Sequence, residues 1–165
     1  LNCLIDGYAK AGDPRMAVSK FREIRNYGLR PDLESFNAVI NADVLAGKMD
    51  KALENFAALR RTSLHPDVVT YSTIIKGFAL LGDTLTGEEW IKKMRAAGVE
   101  PNEVTYAALL GGFVKTHNAP GALRVVKEME DAGVEPGLVC YNVLMDVHAM
   151  ASDPQAAEAV LRQMQ

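Results

Sequence analysis

Val68-Val69-Thr70-Tyr71-Ser72-Thr73-Ile74-Ile75-Lys76-Gly77, with Gly98-Val99-Glu100-Pro101-Asn102 downstream, decides the reading of this chain. Pro101 is one of four prolines, Pro31, Pro66, Pro101 and Pro136, set 35 residues apart. Tyr71 belongs to an aromatic column with the same step, Phe36, Tyr71, Tyr106 and Tyr141. Ile75 belongs to Ile5, Ile40, Ile75, Leu110 and Met145. Working outward, small residues recur at Ala17, Ala52, Gly87, Ala122 and Ala157. Bulky apolar residues recur at Phe21, Phe56, Ile91, Val126 and Leu161, and again at Ile24, Leu59, Met94, Met129 and Met164. Six columns in register mark an internal repeat. The repeats read as 1–32 (partial), 33–67, 68–102, 103–137 and 138–165 (partial), with no linker or insertion. One continuous array is expected. It begins and ends inside a repeat, so a fragment of a longer array is the expectation.

Each repeat predicts a helical hairpin. Phe36, Val39, Ile40 and Val44 follow an i, i+3, i+4, i+8 pattern, one face of a helix. Gly47 breaks it, as glycine does after a helix C-terminus. Ala52, Phe56 and Leu59 then predict a second helix, which Ser63–Asp67 ends because Pro66 cannot continue a helix interior. Asp13-Pro14 and Asp153-Pro154 predict an N-cap followed by proline at the first helical position. Gly28, Gly98 and Gly133 fit the left-handed residue that closes a second helix. Such a hairpin cannot bury its apolar faces alone and must stack on its neighbours, which predicts an all-α solenoid.

The 165 residues are 48% hydrophobic and 24% charged, enough apolar material for a core and too little charge for disorder. No apolar run approaches the ~20 residues of a membrane span, so no membrane partner is expected. The net charge of −3 argues against attachment to nucleic acid by bulk charge, but leaves room for a local basic stripe. Cys3 and Cys140 are too few for a disulfide framework and read as reduced thiols. The chain opens at Leu1 without a charged-then-apolar leader, so any targeting peptide is expected to have been removed or to lie outside this segment.

The chemistry of catalysis is missing from the pattern. His65, His117 and His148 fall in different repeats, and neither cysteine has a CxxC partner, so no zinc site and no cofactor are expected. Gly111-Gly112 falls where a first helix needs close contact rather than at a strand-to-helix phosphate loop. The expectation is a protein that is not an enzyme and has no small-molecule substrate.

The 35-residue period, the segment 68–77 and the ending Gly98-Val99-Glu100-Pro101-Asn102 resemble the pentatricopeptide repeat family, in its plain 35-residue class, over the whole chain. The tetratricopeptide repeat has period 34 and a Trp-containing signature, whereas Trp90 recurs in no other repeat. The resemblance implies a right-handed α-solenoid superhelix of about five stacked hairpins. It also implies binding of single-stranded RNA, one repeat to one base, in an organelle, with the plastid ahead of the mitochondrion.

In that family the residue after the aromatic and the residue after the loop proline select the base. The pairs here are Asn2 with Asp32, Asn37 with Asp67, Ser72 with Asn102, and Ala107 with Gly137. Asn142 lacks its partner. An amide offers donor and acceptor together, matching the mixed edge of a pyrimidine. By the resemblance, Asn with Asp favours uracil and Ser with Asn favours adenine. Ala107 and Gly137 carry no hydrogen-bonding side chain, so the implied target is 5′-U-U-A-N-pyrimidine. A plainer reading has Asn2, Asn37, Ser72 and Asn142 simply beginning helices, and Asp32, Asp67 and Asn102 as ordinary turn residues.

The resemblance further implies that Val69, Val104 and Val139 sandwich bases, where Glu34 departs from the pattern. It implies phosphate contact by Lys10 and Lys115, a register that Leu45, Leu80 and Met150 leave empty of charge. Asp43 and His148 interrupt the aromatic column Tyr8, Phe78 and Phe113, and are expected to face solvent or a polar partner. Those departures and the acidic balance support an alternative: a scaffold for protein partners in a large organellar assembly such as a ribosome or RNA polymerase.

Overall fold

The computed structural model describes residues 7–8, 14–28 and 30–150. Asn2, Cys3, Ile5, Lys10, Asp13, Asp153, Pro154, Ala157, Leu161 and Met164 lie outside that set. The described residues form helices and turns and contain no strand. The helices are α1 (Pro14–Asn26), α2 (Leu33–Leu45), α3 (Met49–Arg60), α4 (Val68–Leu81), α5 (Thr84–Ala96), α6 (Glu103–Lys115), α7 (Ala119–Asp131) and α8 (Leu138–Met150). The chain divides into two compact units, 1–77 and 78–165.

In the first unit α2 packs against both α1 and α3. The aromatic column explains how. Phe21 of α1 meets Phe36 of α2 edge-to-face, with ring centroids 5.2 Å apart. One period later Phe56 of α3 meets Tyr71 of α4 in the same manner at 5.4 Å. Such pairs prefer this T-shape because ring edges are positive and faces negative. Ala17 and Ala52 are fully buried, and Ile24, Ile40, Leu59 and Ile75 fill the space the small residues leave. In the second unit α6 packs against α5, α7 and α8. Its core is Met94, Tyr106, Leu109, Leu110, Phe113, Val125 and Met129. A Cβ on Gly87 would come within 2.7 Å of Leu109 Cδ1, so the small-residue column is a condition of helix contact here.

The glycine pair behaves asymmetrically. A Cβ on Gly112 would lie 2.9 Å from the Ala79 α-carbon, so this glycine does permit close contact between α6 and the end of α4. Gly111 has open space where a Cβ would go and takes no part in it.

First helices close on a residue in the left-handed region. Gly47 and Gly82 supply it with φ of 68° and 78°, and His117 occupies the same register with φ of 52°. A side chain in that region crowds the following carbonyl. Gly28, Gly98 and Gly133 close second helices with positive φ, as the sequence predicts.

Asp43 is 4% exposed. Asn55 Nδ2 donates to its Oδ2 at 2.8 Å, the polar partner that the sequence expectation required. Burial pushes the Asp43 carboxyl up, and this outweighs the Asn55 hydrogen bond and the nearby Lys48, Lys51 and Arg22 charges that pull it down. The folded chain therefore holds the Asp43 proton more tightly than the unfolded one. Stability from this group is greatest below the unfolded carboxylate value and is lost as pH rises through the folded one.

Two expected outcomes follow from these positions. His117→Gly relieves the left-handed side chain, less the extra freedom glycine has when unfolded, and should raise stability by about 0.5–1 kcal/mol in urea denaturation. Asp43→Asn keeps a partner for Asn55 and removes the buried charge. Melting curves should show the parent losing stability relative to this variant as pH rises from the ordinary carboxylate range toward neutral.

Candidate nucleic-acid interface

The loops entering α2, α4 and α6 end on Asp32, Asp67 and Asn102. Each caps the helix that follows. Asp32 Oδ1 accepts from the Ser35 N–H at 2.8 Å, Asp67 Oδ1 from the Thr70 N–H at 2.9 Å, and Asn102 Oδ1 from the Thr105 N–H at 3.1 Å. The third-residue hydroxyl closes the box. Ser35 Oγ donates to Asp32 Oδ1 at 2.6 Å, and the Asp67 and Asn102 N–H groups donate to Thr70 and Thr105 Oγ1 at 3.2 and 3.3 Å. These reciprocal bonds satisfy N–H groups that a helix start otherwise leaves unpaired. Burial works to raise the Asp32 carboxyl, but the Ser35 hydroxyl and N–H hold it below the usual range. These three residues, read from the sequence as turn residues, are therefore helix caps, whereas Asn37, Ser72 and Asn142 lie a full turn inside their helices and do not begin them.

Capping does not exclude base selection, because in the first unit the cap residue also meets the amide that the resemblance assigns to that role. Asn37, the fifth residue of α2, donates from Nδ2 to Asp67 Oδ1 at 3.2 Å. Thr70 Oγ1 lies 2.6 Å from Asn37 Oδ1 and 2.7 Å from Asp67 Oδ1. A carboxylate only accepts, so Asp67 fixes which end of the Asn37 amide faces it. Thr70 then marks the other end as the oxygen. One N–H and one oxygen lone pair of the amide remain, a donor and an acceptor side by side.

The remaining candidates fall as follows. Ser72 and Asn142 are the fifth residues of α4 and α8, the register that Asn37 holds in α2. Ser72 is 7% exposed and belongs to the first unit; Asn102 is exposed and belongs to the second. Asn142 is exposed. Val69, Val104 and Val139, the second residues of α4, α6 and α8, are 56%, 63% and 54% exposed. Apolar side chains this open at helix starts have surface left to cover. Glu34 is exposed at the same register of α2. Lys115 is exposed, and its ammonium donates to the Leu80 carbonyl near the end of α4, which uses one of three donors. Leu45 and Leu80 are exposed apolar residues at the lysine register.

The column Ser35, Thr70 and Thr105 escaped the sequence reading. All three residues are completely buried. The signal was available, since Asp or Asn followed three residues later by Ser or Thr is a helix-start pattern, here repeated every 35 residues. At α8 the corresponding residues are Gly137 and Cys140. Burial pushes the Cys140 thiol up, against the Gly137 N–H, and the Glu103 charge pushes in the same direction as burial. Among the described residues no cluster of three or more His, Cys, Asp or Glu could hold a metal. No helix among them is long and apolar enough to cross a membrane.

Known structures share this arrangement. Pentatricopeptide repeat protein PPR10 in complex with an 18-nucleotide psaJ RNA element matches with a TM-score of 0.89 and 27% identity, over 99% of this chain and 24% of that one. PPR10 from maize matches with a TM-score of 0.83 and 26% identity, over 98% of this chain and 23% of that one. The chain thus spans about a quarter of the length of PPR10. The PPR domain of Arabidopsis thaliana protein-only RNase P 1, in complex with tRNA, matches in fold with a TM-score of 0.77 at 20% identity, over 97% of this chain and 84% of that one. No curated protein matches the chain. Among protein families, the pentatricopeptide repeat domain matches residues 89–151, the PPR repeat family residues 1–43 and 31–79, and the PPR repeat residues 69–99 and 139–165. These matches run from the first residue to the last, and with the repeated capped hairpins they establish that the chain belongs to the pentatricopeptide repeat family.

Proposed function

We propose that this chain binds single-stranded RNA and reads it one base per repeat, with the target 5′-U-U-A-N-pyrimidine. The observation that carries the proposal is the Asn37–Asp67–Thr70 network. A polar side chain on a surface helix ordinarily samples several rotamers. Asn37 is held instead, with one donor and one acceptor left over. Uracil presents an N–H next to a carbonyl and complements that pair. The RNA complexes of PPR10, a structural relative at 27% identity, support the same reading. Val69, Val104 and Val139 would cover base faces, and Lys115 would reach phosphate with its remaining donors. The array would act in organellar RNA processing, stability or translation by occupying its site, and its repeats would follow the boundaries 33, 68, 103 and 138.

A second reading, protein docking, is favoured by Leu45, Leu80, Leu81 and Leu85, which are exposed at 47%, 45%, 58% and 74%. Electrophoretic shift with labelled single-stranded RNA across a salt series separates the two. RNA binding should weaken linearly in log–log form as salt rises, because phosphate contacts release counterions. No shift at micromolar protein with the helices intact by circular dichroism would leave the docking reading alone.

The base assignments have their own tests. Ser72→Asn with Asn102→Asp should move the third-base preference from adenine to uracil by about tenfold, the discrimination one well-made base contact supplies. Unchanged relative affinity would show that these residues do not select the base. Thr70→Val removes the hydroxyl that marks the Asn37 oxygen and accepts from the Asp67 N–H. It should cost about 1–2 kcal/mol of stability by thermal melting. It should also flatten uracil discrimination at the second base while the third-base preference stays.

A further inference from the structure

Repeat 103–137 is the one whose selecting pair, Ala107 and Gly137, carries no hydrogen-bonding side chain. The same repeat departs from the others at a second place. The first residues of α2, α4 and α8 are Leu33, Val68 and Leu138, whereas α6 begins with Glu103. The two departures meet in space. A Cβ on Gly137 would lie 1.9 Å from Glu103 Oε1, 2.5 Å from Cδ and 3.1 Å from Oε2. The carboxylate therefore rests on the Gly137 α-carbon, in the room that a side chain there would need. Glu103 and Ala107 are four residues apart on α6 and share a face. Gly137 is not among the glycines of positive φ, so backbone conformation does not require glycine here. The Glu103 carboxylate, the far end of a flexible side chain, occupies the room that a Cβ would take and would have to move aside for one. Glu103 is exposed and has no ion-pair partner among the described residues.

We infer that Glu103 is the specificity-determining residue of this repeat and that it selects guanine as the fourth base. The inference rests on the RNA-reading proposal above. A carboxylate accepts hydrogen bonds and cannot donate. On its Watson–Crick edge guanine presents two adjacent donors, N1–H and the 2-amino group, which match the two carboxylate oxygens. Uracil presents one N–H between two carbonyl oxygens, and those oxygens would face the carboxylate lone pairs. Adenine and cytosine each present one amino group beside an acceptor nitrogen. The ranking is therefore guanine first and uracil last. Val104 and Val139, open at the starts of α6 and α8, supply apolar surface for the base faces.

The test uses this chain and four RNAs, 5′-UUANU with A, C, G or U at N, in fluorescence anisotropy at one salt concentration. Guanine should bind about tenfold more tightly than uracil, as a bidentate contact provides. Glu103→Gln should reduce that ratio to about twofold or less while discrimination at the first three bases stays; circular dichroism checks its fold. Gly137→Ala, whose Cβ takes the place of the carboxylate and brings no hydrogen-bonding group, should do the same. A flat response at N alongside intact selection of U-U-A overturns the guanine assignment and leaves the RNA reading standing. So does preference for another base, or a guanine preference that survives Glu103→Gln. Loss of selection at the first three bases as well overturns the RNA reading itself, and this inference with it.

Discussion

One buried hydroxyl ties the ends of a repeat together. Thr70 reaches the loop residue Asp67 and the amide of Asn37 more than thirty positions earlier in the chain. The loop between hairpins must satisfy the start of α4, and the residue that does so must also lie against α2. A helix start in isolation leaves N–H groups unpaired. Here the side chain that pairs one of them is the same side chain that orients the amide. Helix capping, hairpin register and the presentation of Asn37 therefore stand or fall together in the first unit.

This coupling works because the hairpins are pinned on their apolar sides. The edge-to-face contacts Phe21–Phe36 and Phe56–Tyr71 repeat one period apart, and completely buried alanines Ala17 and Ala52 set how closely the helices approach. A methylene more or less in such a column is felt, since interiors are close-packed. In the second unit the same role passes to Gly87 and Gly112, whose missing side chains admit Leu109 and Ala79. Polar ties between repeats are weaker by comparison. The Arg124–Glu88 pair is bidentate but more than half exposed on its arginine side, and such pairs contribute little.

The helices were legible in the sequence because period and chemistry agree at every level: column, cap and closing glycine. What escaped shows where such reading stops. The Ser35, Thr70 and Thr105 column is polar and buried, so hydrophobic periodicity passes over it. Lys115 was legible as a cation but not as the donor to a carbonyl one period earlier, because backbone acceptors leave no mark in a sequence. Gly111 and Gly112 look alike on paper and differ only in what stands opposite them. His117 sits in a glycine register, yet a positive φ becomes visible only in the backbone itself. Asp43 was recognisable as an anomaly, but Asn55 twelve residues away became its partner only once α2 and α3 had packed.

On the proposed reading the loop residue has a double duty, and this limits what the array can select. A residue that must cap a helix comes from a short alphabet, chiefly Asp, Asn, Ser, Thr and Gly, and exchanging a polar member for glycine costs only a few tenths of a kcal/mol. Base selection at this position, as proposed, must be written within that alphabet. Glycine is its silent letter, tolerated by the helix and empty to the base. Gly137 can therefore give up a reading side chain without forfeiting α8, and a neighbouring carboxylate can settle into the space. On that reading, diversity of recognition is free to move to residues without a capping duty, and the first position of α6, where Glu103 is exposed, is one of them.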